Sequence, residues 1–400
     1  MQQSHENMGF IAATISLLMA FAVSATPIPL YDIYRRADGL TYSDLSLTAV
    51  VYFVGAITAL LIFGRISDHL GRKPVTFLVF GLEAVACILL LDVDSALPLV
   101  IGRLLLGLAC GLASSAIASY VVDSAPSSPH WLPAVVVANS PMTGLTLGAI
   151  ASGALVEYGP YPRVLCYVVV LAGIVVSALL VALSKETVTR TPGLLASLRP
   201  KFSLPQADRR LYPVAACTFV ATWALGGFFQ AYGPSIAADQ LGTQDTLTAA
   251  LVFSSYLLPC VIGGPLAGRF SPATAQRLGM VVFTLAVGGV LVALKMSAVG
   301  VFLLTSAIAG AAQGTVVTGS IRSLLADVSP QKRAGVLSLI YATSYTGAAV
   351  PSFIAGQLSH FMGLFQIAVC YGFLAVLACI IILLFARNPQ VSNVQAITCA

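Results

Sequence analysis

Charged side chains are scarce in this sequence. Asp, Glu, Lys and Arg together make up 9% of the 400 residues, whereas apolar residues make up 58% and the mean hydropathy is +0.93. That balance excludes a soluble globular domain, in which about one residue in four is charged. Runs of alternating apolar and polar residues are also missing, which excludes a transmembrane β-barrel.

Clusters of metal-binding side chains are missing as well. No two of the eight cysteines have metal-ligand spacing, and the four histidines lie outside the apolar runs. A transported metal ion would require His, Met or carboxylate groups within those runs. We therefore expect no metal site and no cofactor, and the cysteine pattern predicts no disulfide.

Twelve apolar runs are each long enough to form a membrane-spanning helix, which needs about 20 residues. They lie near residues 9–31, 45–66, 74–93, 97–121, 132–155, 163–184, 213–236, 247–268, 275–294, 297–321, 334–357 and 364–386. No Lys or Arg precedes Gly9, so we interpret the first run as a retained helix and not as a secretory signal. The predicted fold class is an all-α polytopic membrane protein with twelve transmembrane helices.

The distribution of Lys and Arg predicts the orientation. If the N-terminus is cytoplasmic, four of the 20 basic residues lie in outer loops, one lies within a span, and the other fifteen lie on the inner side. The outer four are Arg35, Arg36, Arg163 and Lys295. An inner excess of this size predicts that both termini are cytoplasmic, in an inner (plasma) membrane. Topology thus accounts for the net charge of +5, and no nucleic-acid partner is expected.

The chain divides into two similar halves. A basic segment, 185–212, separates a first group of six spans (9–184) from a second (213–386), and we interpret it as a cytoplasmic linker. Positions 204 residues apart match at Gly64 and Gly268, Arg65 and Arg269, Ser67 and Ser271, Asp123 and Asp327, and Pro126 and Pro330, and a shift of 203 relates Gly144 to Gly347 and Gly153 to Gly356. Secondary transporters are often built from such repeats, with the substrate site where the repeats meet.

The turn between the second and third spans has a distinctive sequence. Residues 64–73 read Gly-Arg-Ile-Ser-Asp-His-Leu-Gly-Arg-Lys. This segment resembles the Gly-x3-Asp-Arg-x-Gly-Arg-Arg/Lys signature of the major facilitator superfamily (MFS). The twelve-span layout, the duplicated halves and the motif Arg103-x3-Gly107-x3-Gly111 are similar to that family as well. The resemblance implies two pseudo-symmetric six-helix bundles and a transporter.

Charge and glycine in this turn predict a gate. Gly64 and Gly71 lack a Cβ, which permits close helix approach and a tight turn. Asp68 could face the positive end of a neighbouring helix, and Arg72 could bridge Asp68 to Asp123. The resemblance implies that this network latches the cytoplasmic ends of the two bundles. The alternative is that the basic residues only anchor the topology, and this is the interpretation we favour for Lys73.

The sequence departs from the family signature at several positions. His69 stands where the signature has Arg. In the second-half copy of the turn, Pro272 replaces the aspartate, and Ala275 and Gln276 replace Gly-Arg. We therefore expect the full charge network in the first half only. Family exporters that work by antiport often carry Gly-Pro where this chain has Gly148-Ala149, so the missing proline weakens an antiporter assignment without excluding it.

Three ionisable residues in or at the end of spans are candidates for substrate or proton coupling. Arg103 lies about 9 Å inside the fourth span, and the resemblance implies that this span lines the central cavity. Glu83 lies about 13 Å inside the third span, where burial favours its neutral form. Asp32 ends the first span and could accept protons from outside. Snorkelling of Arg103, a structural role for Glu83 and a solvated Asp32 are the alternatives.

Polar residues in several other spans predict a mixed cavity without fixed negative charge. The candidates are Asn139, Thr222, Trp223, Gln230, Gln313, Tyr341 and Tyr345. Aromatic and amide groups suit uncharged or amphipathic organic molecules, and Arg103 could accept an anion. Hydrogen bonding between helices is the alternative role for each of them.

These observations predict a secondary active transporter of a small organic compound, proton-coupled and monomeric, with efflux favoured. Proton-coupled import of an organic anion or metabolite is the alternative within the class. No Gly-x4-Gly-Lys-Ser/Thr phosphate loop is present, so ATP is not expected to supply the energy. An intramembrane enzyme would require clustered nucleophiles or acids within spans, and a sensor would require a large soluble domain. Neither feature is present, so we predict neither an enzyme nor a sensor.

Overall fold

The computed structural model describes residues 2–189, 191–200, 210–326, 328 and 330–389, and the part of the chain it describes is built from helices without strands. The first-half helices are α1 (Gln2–Ala25), α2 (Tyr31–Ala37), α3 (Tyr42–Ile62), α4 (Ile66–Leu70), α5 (Arg72–Leu90), α6 (Ala96–Leu112), α7 (Ala118–Asp123), α8 (Leu132–Tyr158) and α9 (Leu165–Leu183). A short helix, α10 (Leu194–Ser197), lies between the halves. The second-half helices are α11 (Tyr212–Asp239), α12 (Thr246–Leu257), α13 (Cys260–Gly268), α14 (Pro272–Lys295), α15 (Val299–Leu325), α16 (Pro330–Leu358) and α17 (Leu364–Phe385).

Eleven helical segments are long and apolar enough to cross a membrane, counting only the described residues. Three of them join two helices each: α1 with α2, α6 with α7 through a π-helical turn, and α12 with α13. The remaining predicted span corresponds to α16, a helix of 29 residues that is less apolar than the others. We define the basic face as the end of the molecule that carries residues 64–73, and the far face as the opposite end.

The first span is longer than the sequence predicted. Its helix continues through a 3-10 turn at Ile28–Leu30 into α2, which ends at Ala37 instead of residue 31. Arg35 and Arg36 therefore belong to a helix and not to a loop. The prolines at 27 and 29 interrupt the α-helix without ending the span, because Pro27 caps the 3-10 segment and Pro29 lies in its first turn, where no backbone N–H is needed.

Glycines allow helix backbones to touch within each half, and the contact repeats between halves. A Cβ on Gly107 of α6 would lie 2.2 Å from the carbonyl oxygen of Tyr52 on α3. In the second half, a Cβ on Gly310 of α15 would lie 2.0 Å from the carbonyl oxygen of Tyr256 on α12. Small residues bring helices together in this way where lipid supplies no hydrophobic driving force.

The two halves contact each other through α3 with α16 and α8 with α12. A Cβ on Gly356 of α16 would lie 2.8 Å from the Cβ of Ser46 on α3, and one on Gly153 of α8 would lie 2.7 Å from the Cβ of Ala250 on α12. Gly153 and Gly356 are a repeat-related pair 203 positions apart, and Ser46 and Ala250 are another, 204 positions apart. The same contact is thus made twice, related by a pseudo-two-fold axis.

We expect Gly148→Ala to destabilise the protein by about 1–3 kcal/mol, because its new Cβ would lie 2.1 Å from the carbonyl oxygen of Ala22 on α1. The measurement is the melting temperature of the detergent-solubilised protein. Gly288→Ala is the matched control, since no atom lies within 4 Å of a Cβ at Gly288 of α14. Equal melting temperatures for the two variants would contradict the close α1–α8 contact.

Candidate functional site

The turn at residues 64–73 folds around a glycine with positive φ. Helix α4 ends at Gly71, whose φ of +104° favours glycine, and α5 begins at the next residue. A Cβ on Gly71 would lie 2.6 Å from Oε2 of Glu186, and one on Gly64 would lie 2.3 Å from the carbonyl oxygen of Leu60. Both glycines are therefore required by the path of the backbone.

Arg72 joins the two predicted carboxylates. Its Nη1 lies 2.6 Å from Oδ1 of Asp68 and donates to Oγ of Ser67 at 2.6 Å, while its Nε lies 2.8 Å from Oδ2 of Asp123. Arg72 itself is buried, with 8% of its surface exposed. The contact ties the turn to the end of α7, as the sequence predicted. Whether the network works as a gate remains a prediction.

The linker completes this network. Oε1 of Glu186 accepts from the backbone N–H of Arg72 at 2.9 Å, and its Oε2 accepts from that of Lys73 at 3.0 Å. Glu186 therefore occupies the positive N-terminus of α5, the position expected for Asp68. Nζ of Lys73 donates to the carbonyl oxygens of Ala182 and Ser184 at 3.0 and 2.6 Å, which satisfies the end of α9.

The second half keeps one part of the network. Nη2 of Arg277 donates to the carbonyl oxygen of Ala386 at 2.7 Å, and these residues lie 204 positions after Lys73 and Ala182. Gln276 stands at the position of Arg72 and is buried. Asp327, the counterpart of Asp123, lies outside the described residues. Among those described, the ion pairs of Arg72 have no second-half equivalent.

A cavity of about 530 Å³ lies between the halves. Spans one, two, four and five line it from the first half, and spans seven, eight, ten and eleven from the second. Its aromatic lining residues are Phe21, Tyr52, Phe53, Trp223, Phe253, Tyr341 and Tyr345. The lining extends to Leu60, Val122, Ala134 and Ile321, all near the basic ends of their helices. The cavity is therefore open toward the basic face.

Ion pairs close the opposite end. We define the far-face cluster as Asp32, Arg35, Arg36, Tyr42 and Asp239. Nη2 of Arg35 lies 2.7 Å from both Oδ1 of Asp32 and Oδ2 of Asp239, and Nε of Arg36 lies 2.6 Å from Oδ2 of Asp32. The Tyr42 hydroxyl also donates to Asp239. Arg35 and Asp239 are 204 positions apart, and equivalent positions of two repeats can touch only near the pseudo-two-fold axis.

Arg103 and Glu83 are fully buried away from the cavity. Nη1 of Arg103 donates to the carbonyl oxygen of Ser24 at 2.6 Å, and its guanidinium carbon lies 4.4 Å from the centroid of the Tyr52 ring. Its Nε and Nη2 have no partner among the described residues, and neither carboxylate oxygen of Glu83 has one. No ion pair joins Arg103 to Glu83.

Comparison with known proteins decides the family. The family model described as Major Facilitator Superfamily matches residues 12–271 and 214–397. The chain belongs to the Major Facilitator Superfamily. It is accordingly an integral multi-pass membrane protein and a transporter of a small molecule, not an enzyme.

Solved structures share the MFS fold along nearly the whole chain. A bacterial homologue of the human lysosomal transporter Spinster, in an inward-facing and unoccupied conformation, has a TM-score of 0.76 at 14% identity over 96% of this chain and 98% of its own. A D-xylose–proton symporter has a TM-score of 0.74 at 15% identity, covering 96% and 99%. A mutant of the nucleoside transporter NupG has a TM-score of 0.70 at 12% identity, covering 95% and 100%.

Sequence relatives match shorter segments. The multidrug resistance protein MdtL of Klebsiella pneumoniae is 30% identical over 104 residues, 26% of each chain. The sugar transporter ERD6-like 8 of Arabidopsis thaliana is 29% identical over 87 residues, 22% of this chain and 18% of its own. This chain thus matches only about a quarter or less of either relative's length, and these similarities identify neither a substrate nor a direction.

Within the MFS fold, the candidates predicted from sequence have separate locations. Those that line the cavity are Trp223, Gln230, Gln313, Tyr341 and Tyr345. Thr222 is buried and donates to the carbonyl oxygen of Thr218 at 2.9 Å, whereas Asn139 donates to that of Val135 at 2.9 Å. Neither of these two lines the cavity, and each bonds to the preceding turn of its own helix.

The placement of two charged candidates corrects the sequence interpretation. Arg103 does not line the MFS cavity, since its side chain lies behind Tyr52. Asp32 is not a solvated helix end, because it pairs with Arg35 and Arg36 and its side chain is 15% exposed. In both cases the depth of the residue was predictable, but the direction of its side chain depended on neighbouring helices.

Several residues at functional positions carried no distinct signal in the sequence. Tyr52 and Phe53 are aromatic residues in an apolar run, where packing is the ordinary role. Asp239 and Tyr42 lie at helix ends, where exposed polar residues are common. The spacing of Arg35 and Asp239 equals the repeat offset, and that coincidence was the one available signal for the far-face cluster.

We expect Arg72→Ala to lower both the transport rate and the melting temperature, because it removes the group that, among the described residues, joins Asp68 to Asp123. Arg72 is buried, but Asp68 and Asp123 are 50% and 32% exposed, so each ion pair contributes about 0–1 kcal/mol. Gln276→Ala, at the repeat-related position, is the matched control and should change both quantities less. If the two variants behaved alike, the ion pairs of Arg72 would have no special role.

Proposed function

We propose that the protein exports a small organic compound by alternating access, driven by the proton gradient. The observation that carries this proposal is the cavity between the halves, which is open toward the basic face and closed at the far face by the far-face cluster and by the contacts of Ser46 and Ala250. A transporter that alternates between this state and one that is open at the far face exposes its site to one side at a time.

The basic face is assigned to the cytoplasm. The excess of Lys and Arg in the segments at that face supports this orientation, with both termini inside and the protein in an inner (plasma) membrane. The open cavity would then face the cytoplasm and load cargo from within. The far-face cluster would separate that cavity from the outside.

Export is favoured over import by the lining of the cavity. Apolar and aromatic residues dominate it, which suits compounds that enter from the cytoplasm or the inner leaflet. The relative named for multidrug resistance supports export, whereas those named for sugar and nucleoside transport support import of a metabolite as the second candidate. We regard the protein as a functional monomer, since one chain supplies both halves of the cavity.

Proton coupling is assigned to buried or paired ionisable groups. Glu83 is a fully buried carboxyl within a span and has no partner among the described residues, which is typical of functional ionisable groups. Arg103 retains two unpaired guanidinium nitrogens in the part of the chain that the structure describes. Asp32 holds Arg35 and Arg36, so a proton arriving from outside would weaken the far-face cluster.

The turn at residues 64–73 is the counterpart, at the basic face, of the far-face cluster. Its contacts in this state involve the first half and the linker, and among the described residues none reaches the second half. We propose that Gly64, Asp68, Gly71, Arg72 and Asp123 form a cytoplasmic gate that meets the second half when the basic face closes. The same rigid turn would then serve in both states.

The test is flux in proteoliposomes across an imposed pH gradient. We expect gradient-dependent movement of at least one compound from a broad panel of small organic molecules. If the gradient drove no compound across the membrane, the proposed energy source would be wrong.

Glu83→Gln should preserve the fold and abolish the stimulation by the gradient, because an amide of the same shape cannot release a proton. Unchanged stimulation would remove Glu83 from the coupling mechanism.

Arg103→Ala should abolish flux and leave the elution volume in size-exclusion chromatography unchanged. The reason is that Arg103 is the single charge that contacts a cavity-lining ring, at Tyr52, among the described residues. Flux at the original rate would assign Arg103 to helix packing alone.

We expect Asp239→Asn to shift the protein away from the state that is open at the basic face, because it weakens three contacts that close the far face. Partly exposed ion pairs contribute about 0–1 kcal/mol each, so the shift should be a few-fold. A cysteine introduced at Val122, which is 54% exposed at the cavity mouth, should then react more slowly with a polar thiol reagent in a variant without native cysteines.

Asp94→Asn is the matched control for this measurement. Asp94 is an exposed carboxylate at the same face, and its side chain accepts from the adjacent Ser95 rather than from the other half. Its substitution should leave the labelling rate at position 122 unchanged. Equal rates for the Asp239 and Asp94 variants would contradict a closing role for the far-face cluster.

A further inference from the structure

The cavity has no charged lining among the described residues. Asp, Glu, Lys, Arg and His are all absent from its wall there. A charged cargo would lose its hydration on entry without gaining a counter-charge, which is costly. An uncharged cargo avoids this cost.

The nearest fixed charge behind the wall is positive. Arg103 lies 4.4 Å from the centroid of the Tyr52 ring, and Tyr52 lines the cavity. Arginine stays protonated in proteins, and no carboxylate pairs with this one among the described residues. The guanidinium therefore repels a cation in the cavity more strongly than it affects a neutral compound.

Aromatic rings form a continuous arc across both halves. The rings of Tyr52 and Phe53 on α3 lie 5.4 Å apart between centroids, Phe53 lies 6.2 Å from Tyr345 on α16, and Tyr345 lies 5.0 Å from Trp223 on α11. Flat apolar rings bind other flat rings through stacked or edge-to-face contacts. The arc therefore favours an aromatic cargo over a polyhydroxy compound.

The wall contains a buried polar group without a partner among the described residues, the Nε2 of Gln230. Gln230 lines the cavity and is 7% exposed, and its Nε2 has no hydrogen-bond acceptor among the described residues. Leaving a buried donor unpaired is unfavourable, so binding of a cargo that carries an acceptor would be favoured. Gln313, also in the wall, has its Oε1 3.6 Å from the thiol Sγ of Cys260.

From these four observations we propose that the cargo is an uncharged aromatic compound that carries a hydrogen-bond acceptor. The acceptor bonds to Gln230, and the ring lies against the arc formed by Tyr52, Phe53, Trp223 and Tyr345. The site discriminates against organic cations and against monosaccharides. This inference rests on the proposed function, because it treats the cavity as the cargo site.

The protein carries its own reporter for a binding test. It has two tryptophans, of which Trp223 lines the cavity and Trp131 is 61% exposed at the start of α8. In the full-length Trp131→Phe variant, the fluorescence of Trp223 alone reports on the cavity. The probes are three compounds of matched shape: biphenyl carboxamide, biphenyl carboxylate and biphenyl trimethylammonium.

We expect the carboxamide to quench Trp223 with the highest affinity and the trimethylammonium to bind at least about tenfold more weakly. Xylose should not displace the carboxamide. Binding of the trimethylammonium as tight as that of the carboxamide, displacement by xylose, or absence of carboxamide binding would each overturn the inference.

Substitution of Gln230 tests the hydrogen bond. Gln230→Leu should lower the affinity for the carboxamide about tenfold. The affinity for methylbiphenyl, which has no acceptor, should stay unchanged. Gln357→Leu, at an exposed position of α16 outside the cavity wall, is the matched control and should change neither affinity. Equal weakening of both probes by Gln230→Leu would overturn the role assigned to the amide.

Failure of this inference can be distinguished from failure of the proposed function, because binding in detergent does not depend on flux. Selective carboxamide binding without gradient-driven flux would overturn the proposed transport mechanism but support the binding preference. Gradient-driven flux of a cation would support the proposed transport mechanism and overturn the binding preference.

Discussion

Close approach of helix backbones at glycine is the contact on which the other features depend. In a bilayer, lipid competes with side chains for apolar contact, so helices associate where small residues permit a fit. Gly107 and Gly310 bring the second and fourth spans of each half together, and Gly153 and Gly356 bring the halves together. Because the contacts repeat, the two halves pack around one pseudo-two-fold axis, and the cavity lies between them.

The two faces of the molecule are held by different contacts. At the basic face, Arg72 and Glu186 join helix ends and the linker within one half, which keeps that half rigid without closing the cavity. At the far face, Arg35 and Asp239 join the two halves. Contacts between exposed charges are individually weak, so they can be exchanged at modest cost during a transport cycle. That property suits a protein that alternates between two states.

The described part of the cavity wall contains no charged residue. The charged residues lie behind the wall, within the first half, or at the two faces of the molecule. Arg103 and Glu83 are buried within the first half, each without an ionic partner among the described residues. Burying such groups is costly, and retaining them in a membrane is typical of functional residues. Their separation from the wall allows an uncharged cargo between the halves and an ionisable coupling group within the first half to function without direct contact.

Composition and periodicity determined the helical class, because hydrocarbon permits few folds. The repeat offset and the turn at 64–73 predicted the family, because that signature is specific, and the family model confirmed the prediction. The contact of Arg72 with Asp68 was predictable, since the two lie about one helical turn apart. Its contact with Asp123 was predictable because the order of the spans places both residues at the same face. The tertiary structure alone decided that Arg103 lies behind Tyr52, that Asp32 is paired, and that Asn139 and Thr222 lie outside the cavity. These outcomes depend on helix rotation and on the neighbouring helices, which a linear pattern does not encode.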